Sequence, residues 1–200
     1  MIEGLLGLLM QAEVMKTQIS VQDTVDSYYV EAAGSAQGHV VEVSYDVATK
    51  GEVRGSLEEF RSLVAETLND SRGWIRAGVK FTEVESGGKM HVLLVSPAEI
   101  SAASAGCSDK LSCTVKPNVY INDDRWLGGS DSYNELGVSL QNYRKMVVNH
   151  EVGHFLGHDH IAECETDSGL APIMLQQSTG LRGCQPNAWP LPSELWVRGL

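Results

Sequence analysis

From residue 39 onward, apolar and polar positions alternate in short runs that give way twice to a helical period. His39-Val40-Val41-Glu42-Val43-Ser44-Tyr45 alternates imperfectly and is rich in β-branched residues, which predicts a first strand. Ser56 to Asn69 places Leu57, Phe60, Val64 and Leu68 on one helical face, and Ser56 with Glu59 has the spacing of a capping box. Val79 to Val84 and Met90 to Val95 are strand candidates. The glycines of Glu85-Ser86-Gly87-Gly88-Lys89 between them can take positive φ, so a hairpin or another tight connection is expected there. Asn118-Val119-Tyr120-Ile121-Asn122 reads as a further short strand. From Ser139 the string SLQNYRKMVVNHEVGHFLG puts Tyr143, Met146, Val147, His150 and His154 on one face of a long helix that Gly157 ends. Strand, helix, strands and then a long helix predict a mixed α/β (α+β) fold.

The stretch Ala32-Ala33-Gly34-Ser35-Ala36-Gln37-Gly38 is typical of a linker, so residues 1–37 are expected to be a tail and 38–200 the domain. Met1 to Met10, MIEGLLGLLM, has a short apolar stretch and Glu3 but no basic residue before Lys16, unlike a signal peptide. Ile2 to Met15 is read either as the remnant of a leader or as a short amphipathic helix. No run approaches the roughly 18 apolar residues of a spanning helix, so no transmembrane segment is expected.

Composition narrows the partners. A chain of 200 residues, 42% hydrophobic, supports one core and one active site. Its net charge of −11 repels phosphate backbones and anionic lipid, which argues against nucleic acid as a partner. The acidic residues are dispersed as on a solvated surface, and a monomer is expected. Four cysteines allow three connectivities; nearest-neighbour pairing, Cys107 with Cys113 and Cys164 with Cys184, is the expected one. Disulfides would place folding in an oxidising compartment, so a secreted or extracytoplasmic location is expected, the bacterial cell surface included.

The chemistry lies in His150-Glu151-Val152-Gly153-His154. Histidines at i and i+4 stand about 40° apart around a helix axis and one turn along it, so both imidazoles can reach one metal ion. Glu151 is rotated by about 100° from His150, placed to touch a water at the metal rather than to bind the metal. A catalytic zinc needs a third protein ligand. Gly157 can turn the chain in the left-handed conformation and bring His158-Asp159-His160 round the helix end.

The string HEVGHFLGHDH resembles the H-E-x-x-H-x-x-G-x-x-H motif of the metzincin zinc peptidases at every specified position. Five fixed positions arise by chance in such a chain with odds on the order of one in 10⁵. The resemblance implies a metzincin-like domain: a mixed twisted sheet, a long active-site helix and a small C-terminal subdomain. It implies Zn²⁺ on His150, His154 and His160, Glu151 as general base, and Met174 in a turn beneath the zinc. The pairing Cys164–Cys184 would enclose that turn. The implied activity is that of a metalloendopeptidase acting on peptides or proteins. Its substrate would lie extended along an edge strand, for which Val119, Tyr120, Ile121 and Asn122 are the candidates, the other reading of these residues being an interior strand. The pocket wall would be Leu175 to Arg182.

Asn122-Asp123-Asp124-Arg125-Trp126, Val147-Val148-Asn149 and Asn187-Ala188-Trp189-Pro190-Leu191-Pro192 are similar to segments of a bacterial family of secreted peptidase-like proteins known only as a domain of unknown function. Two departures from better-known metzincins stand out. No tyrosine follows two residues after Met174, and His158 is an additional histidine inside the string. Tyr120, Tyr133 and Tyr143 are candidates for a hydroxyl near the metal, while His39 and His91 read as strand histidines. Asp123, Asp124 and Asp131 are either calcium ligands or a solvated loop. The alternative function is a non-catalytic extracellular binding module that retains zinc as a clamp; Glu151 would have no use in it. A hydrolase with the short motif and a distant glutamate ligand is disfavoured by Gly157 and His160.

Overall fold

The computed structural model describes residues 40–164 and 169–198. The expected tail, the helix considered for Ile2 to Met15, the linker and His39 lie outside these residues.

Among the described residues five strands form one sheet: β1 (Val41–Lys50), β2 (Val79–Glu83), β3 (Met90–Val95), β4 (Cys113–Val115) and β5 (Asn118–Asn122). Their order is β2-β1-β3-β5-β4, all parallel except β4, which runs antiparallel to β5. Helix α1 (Leu57–Leu68) buries Phe60, Leu63, Val64, Thr67 and Leu68, and Ser56 caps it by accepting from the Glu59 amide at 3.3 Å. Three shorter helices follow: α2 (Pro97–Ala103), α3 (Asp123–Gly128) and α4 (Asp131–Asn134). The long helix α5 (Leu140–Leu156) starts at the Ser139 cap and stops at Gly157. The structure is therefore the expected mixed α/β fold.

The hairpin expected between Val79–Val84 and Met90–Val95 does not form. Both strands pair with β1 in parallel, on opposite sides. Tyr45 is the register point: it pairs with Glu83, the last residue of β2, and with Met90, the first of β3. The six residues 84–89 therefore cross β1 in mid-strand, from one edge to the other. A parallel crossover ordinarily takes about a dozen residues or more. This one is short because β2 pairs with the first half of β1 and β3 with the second.

The crossing explains why β1 extends to Lys50, beyond the predicted end at Tyr45: β3 pairs with its second half. It also explains one of the two glycines. A Cβ on Gly88 would lie 2.7 Å from Tyr45 Cα and 2.8 Å from Asp46 N, so the crossing chain rests directly on the β1 backbone. Asp46 secures it by accepting from the Gly88 amide at 2.8 Å. The same carboxylate meets His91 Nδ1 at 2.9 Å, which gives this strand histidine a structural partner.

Helix α5 is more enclosed than one apolar face implies. Twelve of its seventeen residues are buried, so protein covers it on more than one side. It packs on α1, β4 and β5, and the C-terminal stretch also meets it: Asn149 Nδ2 donates to Ala188 O at 2.8 Å. On the opposite face of the sheet, Val95, Ile100 and Tyr120 form a smaller cluster with Leu93, Ala103, Cys107, Cys113 and Val115. Among the described residues no helix is long and apolar enough to cross a membrane.

Gly88→Ala should lower unfolding stability by about 2 kcal/mol, the usual cost of overpacking against immovable atoms. Urea unfolding measures it; an unchanged midpoint would show that the crossing chain does not rest on β1 as described.

Candidate metal centre

Three imidazoles converge at the C-terminal end of α5. His150 and His154 stand one turn apart with ring centroids separated by 4.9 Å, and His160 lies 5.3 and 4.6 Å from them. One ligand nitrogen from each ring falls within 4.8 Å of the others, so the group can hold a metal ion.

The turn that delivers His160 is built at Gly157, whose φ is +101°. Gly157 N donates to His154 O at 3.1 Å and His158 N to Gly153 O at 3.0 Å, the paired bonds of a Schellman stop. Ile161 N then donates to Met174 O at 3.0 Å, which anchors the segment just after His160.

The tautomers follow from the partners, because a backbone carbonyl only accepts. His150 Nδ1 donates to Ile173 O at 2.7 Å and His154 Nδ1 to His158 O at 2.8 Å. Both rings therefore keep an Nε2 lone pair for a metal. His154 Nε2 lies 3.1 Å from His160 Nε2. Burial, with His154 adding to it, pushes His150 down to about 3, so its imidazole is neutral, the form that ligates. Burial also lowers His154 and His160. A set of neutral nitrogens, two of them oriented by carbonyls, fits a borderline metal ion.

His158, the additional histidine, faces elsewhere. It is buried between Trp74 and Trp196, with centroids 4.8 and 3.7 Å away, and its Nε2 is 2.9 Å from Trp196 O. Glu151 is buried too, and that burial pushes its carboxyl up to about 8, with the Thr114 hydrogen bond opposing. Thr114 Oγ1 lies 2.8 Å from Glu151 Oε2 and 2.9 Å from Glu151 O.

Met174 is fully buried against α5 at Gly153, and the missing side chain there is the reason it fits: a Cβ on Gly153 would overlap Met174 Sδ and come within 2.9 Å of Trp74. The Met174 turn is held from beneath by Glu194. Its carboxylate accepts from the amides of Ile173 and Met174 at 2.9 Å and of Leu191 at 2.8 Å. Since Ile173 also presents its carbonyl to His150, Glu194 supports the first histidine through one intervening residue. Nothing in the sequence pattern singled out Glu194 or Thr114; a carboxylate after the apolar run Trp189-Pro190-Leu191-Pro192 is the one weak signal.

A cleft of about 490 Å³ joins these groups, lined by His150, Glu151, His154 and His160, by Cys113, Thr114 and Lys116 on one side, and by Gln176 to Thr179 on the other. Of the segment Leu175 to Arg182, Gln176 to Thr179 line this cleft, while Leu175 is buried. The expected substrate strand needs correction. Val119 to Asn122 lie in β5, flanked by β3 and β4, so their backbone groups are not at an edge. The edge on this side is β4, which the cysteine-bounded loop hid from the sequence pattern.

Tyr120 belongs to the cluster on the other face of the sheet. Tyr133 donates to Gln177 Oε1 at 2.8 Å, and Tyr143 OH is 3.1 Å from Ser178 Oγ. Asp123 accepts from the amides of Arg54 and Gly55, and Asp124 pairs with Arg54, so these two carboxylates serve a loop. Disulfides join Cys107 to Cys113, beside β4, and Cys164 to Cys184, around the Met174 turn. Both pairs are the nearest-neighbour ones.

Glu194→Ala would leave three buried amides without their acceptor and should cost roughly 3 kcal/mol or more. Thermal unfolding, read beside metal affinity, checks it; a variant with wild-type stability would remove Glu194 as the support of the turn.

No curated protein matches the chain. A family model described as a protein of unknown function, DUF3152, matches residues 21–189, a span that takes in the histidine string, Met174 and Asn187-Ala188-Trp189. With most of its length covered by that match, the chain belongs to the DUF3152 family.

Proposed function

We propose that this chain is a zinc-dependent endopeptidase of the metzincin type. One observation carries the reading: three neutral imidazoles and a buried carboxylate meet in a single open cleft beside a sheet edge. His150, His154 and His160 would hold the metal. Zinc there supplies Lewis acidity, which acidifies water toward a pKa of about 7 and polarises a carbonyl.

Glu151 does the proton work. Among the described residues Oε2 accepts from Thr114 while Oε1 accepts from none, which leaves Oε1 to take a proton from water. As the water oxygen bonds to the carbonyl carbon its proton passes to Oε1, and the same oxygen returns it to the leaving amine as the C–N bond breaks; because water is the nucleophile, no acyl-enzyme forms.

The substrate would lie extended along β4, adding to the sheet by backbone hydrogen bonds. Gln176 to Thr179 would face its side chains across the cleft. The two disulfides support a secreted or extracytoplasmic location.

Metal analysis and digestion of a mixed-peptide library by wild type and Glu151→Ala test this reading. One zinc per chain is expected in both, with cleavage lost to a chelator and at least ~100-fold weaker in the variant. Zinc in both with cleavage by neither would point to a non-catalytic binding module.

A further inference from the structure

Glu151 is buried, has three side-chain torsions to order, and among the described residues forms no ion pair with a lysine or arginine. Among the described residues its carboxylate has one polar protein partner, Thr114 Oγ1 at 2.8 Å. The same hydroxyl lies 2.9 Å from Glu151 O, so its single proton is offered to two acceptors of one residue. We infer that Thr114 is a positioning residue for Glu151, holding Oε2 so that Oε1 alone exchanges protons with water and the leaving amine. This rests on the peptidase reading above.

The anchor is well placed for that task. Thr114 lies at the middle of β4, paired with Val119, and follows Cys113, which the disulfide to Cys107 fixes. Its β-branched side chain has few χ1 choices, whereas a glutamate has three torsions to order. The hydroxyl therefore transfers the rigidity of the sheet edge to a carboxylate on α5. The edge that would receive an extended peptide and the base that would act on it are thus joined by one hydrogen bond. Thr114 itself gains and loses no proton: the proton from water goes to Oε1 and leaves from Oε1, while Oε2 keeps its donor throughout.

Thr114→Val keeps the shape and strand preference and removes the hydroxyl; Thr114→Ser restores it. With the zinc-loaded full chain, the valine variant should lose about 10- to 100-fold in kcat, the factor that a hydrogen bond to a charged group carries. Its KM, zinc content and thermal midpoint should stay near wild type, and the serine variant should recover most of kcat. Crystal structures of the metal-free proteins give a readout apart from activity. The Glu151 carboxylate should keep its place in wild type and in Thr114→Ser, and shift or spread over several rotamers in Thr114→Val. An active wild type whose Thr114→Val variant is equally fast, or whose carboxylate does not move, would overturn the inference and leave the peptidase reading standing. Equal losses of kcat and stability in both variants would mark Thr114 as merely structural and also overturn it. A wild type that cleaves nothing would remove the peptidase reading, and this inference with it.

Discussion

The histidine site depends on a change of direction at Gly157. An α-helix can align two imidazoles on one face but cannot add a third from the same turn, because successive side chains diverge by about 100°. The left-handed residue at φ +101° ends α5 and swings the next segment back toward its own last turn. A side chain at 157 would be doubly opposed: the conformation disfavours it, and its Cβ would lie 2.5 Å from Arg198 O. Arg198 N in turn donates to Leu156 O, so the C-terminal segment closes over the stop that the glycine creates.

What surrounds this turn is a buried polar scaffold rather than regular structure. After α5 the described chain contains isolated bridges and a short 3-10 turn at Pro192–Glu194. Irregular backbone has no ladder of its own, so its polar groups need other partners. Side chains provide them. Gln177 donates to Pro172 O and Asn187 O, Asn187 donates to Ala171 O and Trp189 O, and Arg76 reaches Pro190 O. Asn149 ties the helix to Ala188 O, and Glu194 collects three amides beneath Met174. Such a network favours one arrangement, because breaking any of these bonds leaves a buried polar group without its partner. The chain segment Asn187-Ala188-Trp189-Pro190-Leu191-Pro192 thus acts as a strap that ties α5 to the segment carrying Met174.

Legibility in the sequence followed the range of the interaction. The histidines at 150 and 154, the stop at Gly157 and the cap at Ser56 are local features, set within a turn or two of chain, and their spacing is visible directly. The existence of β1, β2, β3 and β5 is equally readable, but their pairing is not: the same glycine-rich connector serves a hairpin or a crossing, and only the register at Tyr45 separates them. The edge was misplaced because Cys113–Val115 is too short to show alternation. Thr114 and Glu194 were invisible for a related reason: each acts on a segment 20 or more residues away, across a contact that no sequence period encodes.

A crystal structure of the zinc-soaked protein, with anomalous diffraction at the zinc edge, tests whether His150, His154 and His160 hold the metal. One strong peak is expected, with nitrogen atoms of His150, His154 and His160 at about 2.0–2.1 Å and His158 still packed between Trp74 and Trp196. A peak ligated by His158, or none between the three imidazoles, would contradict this ligand set.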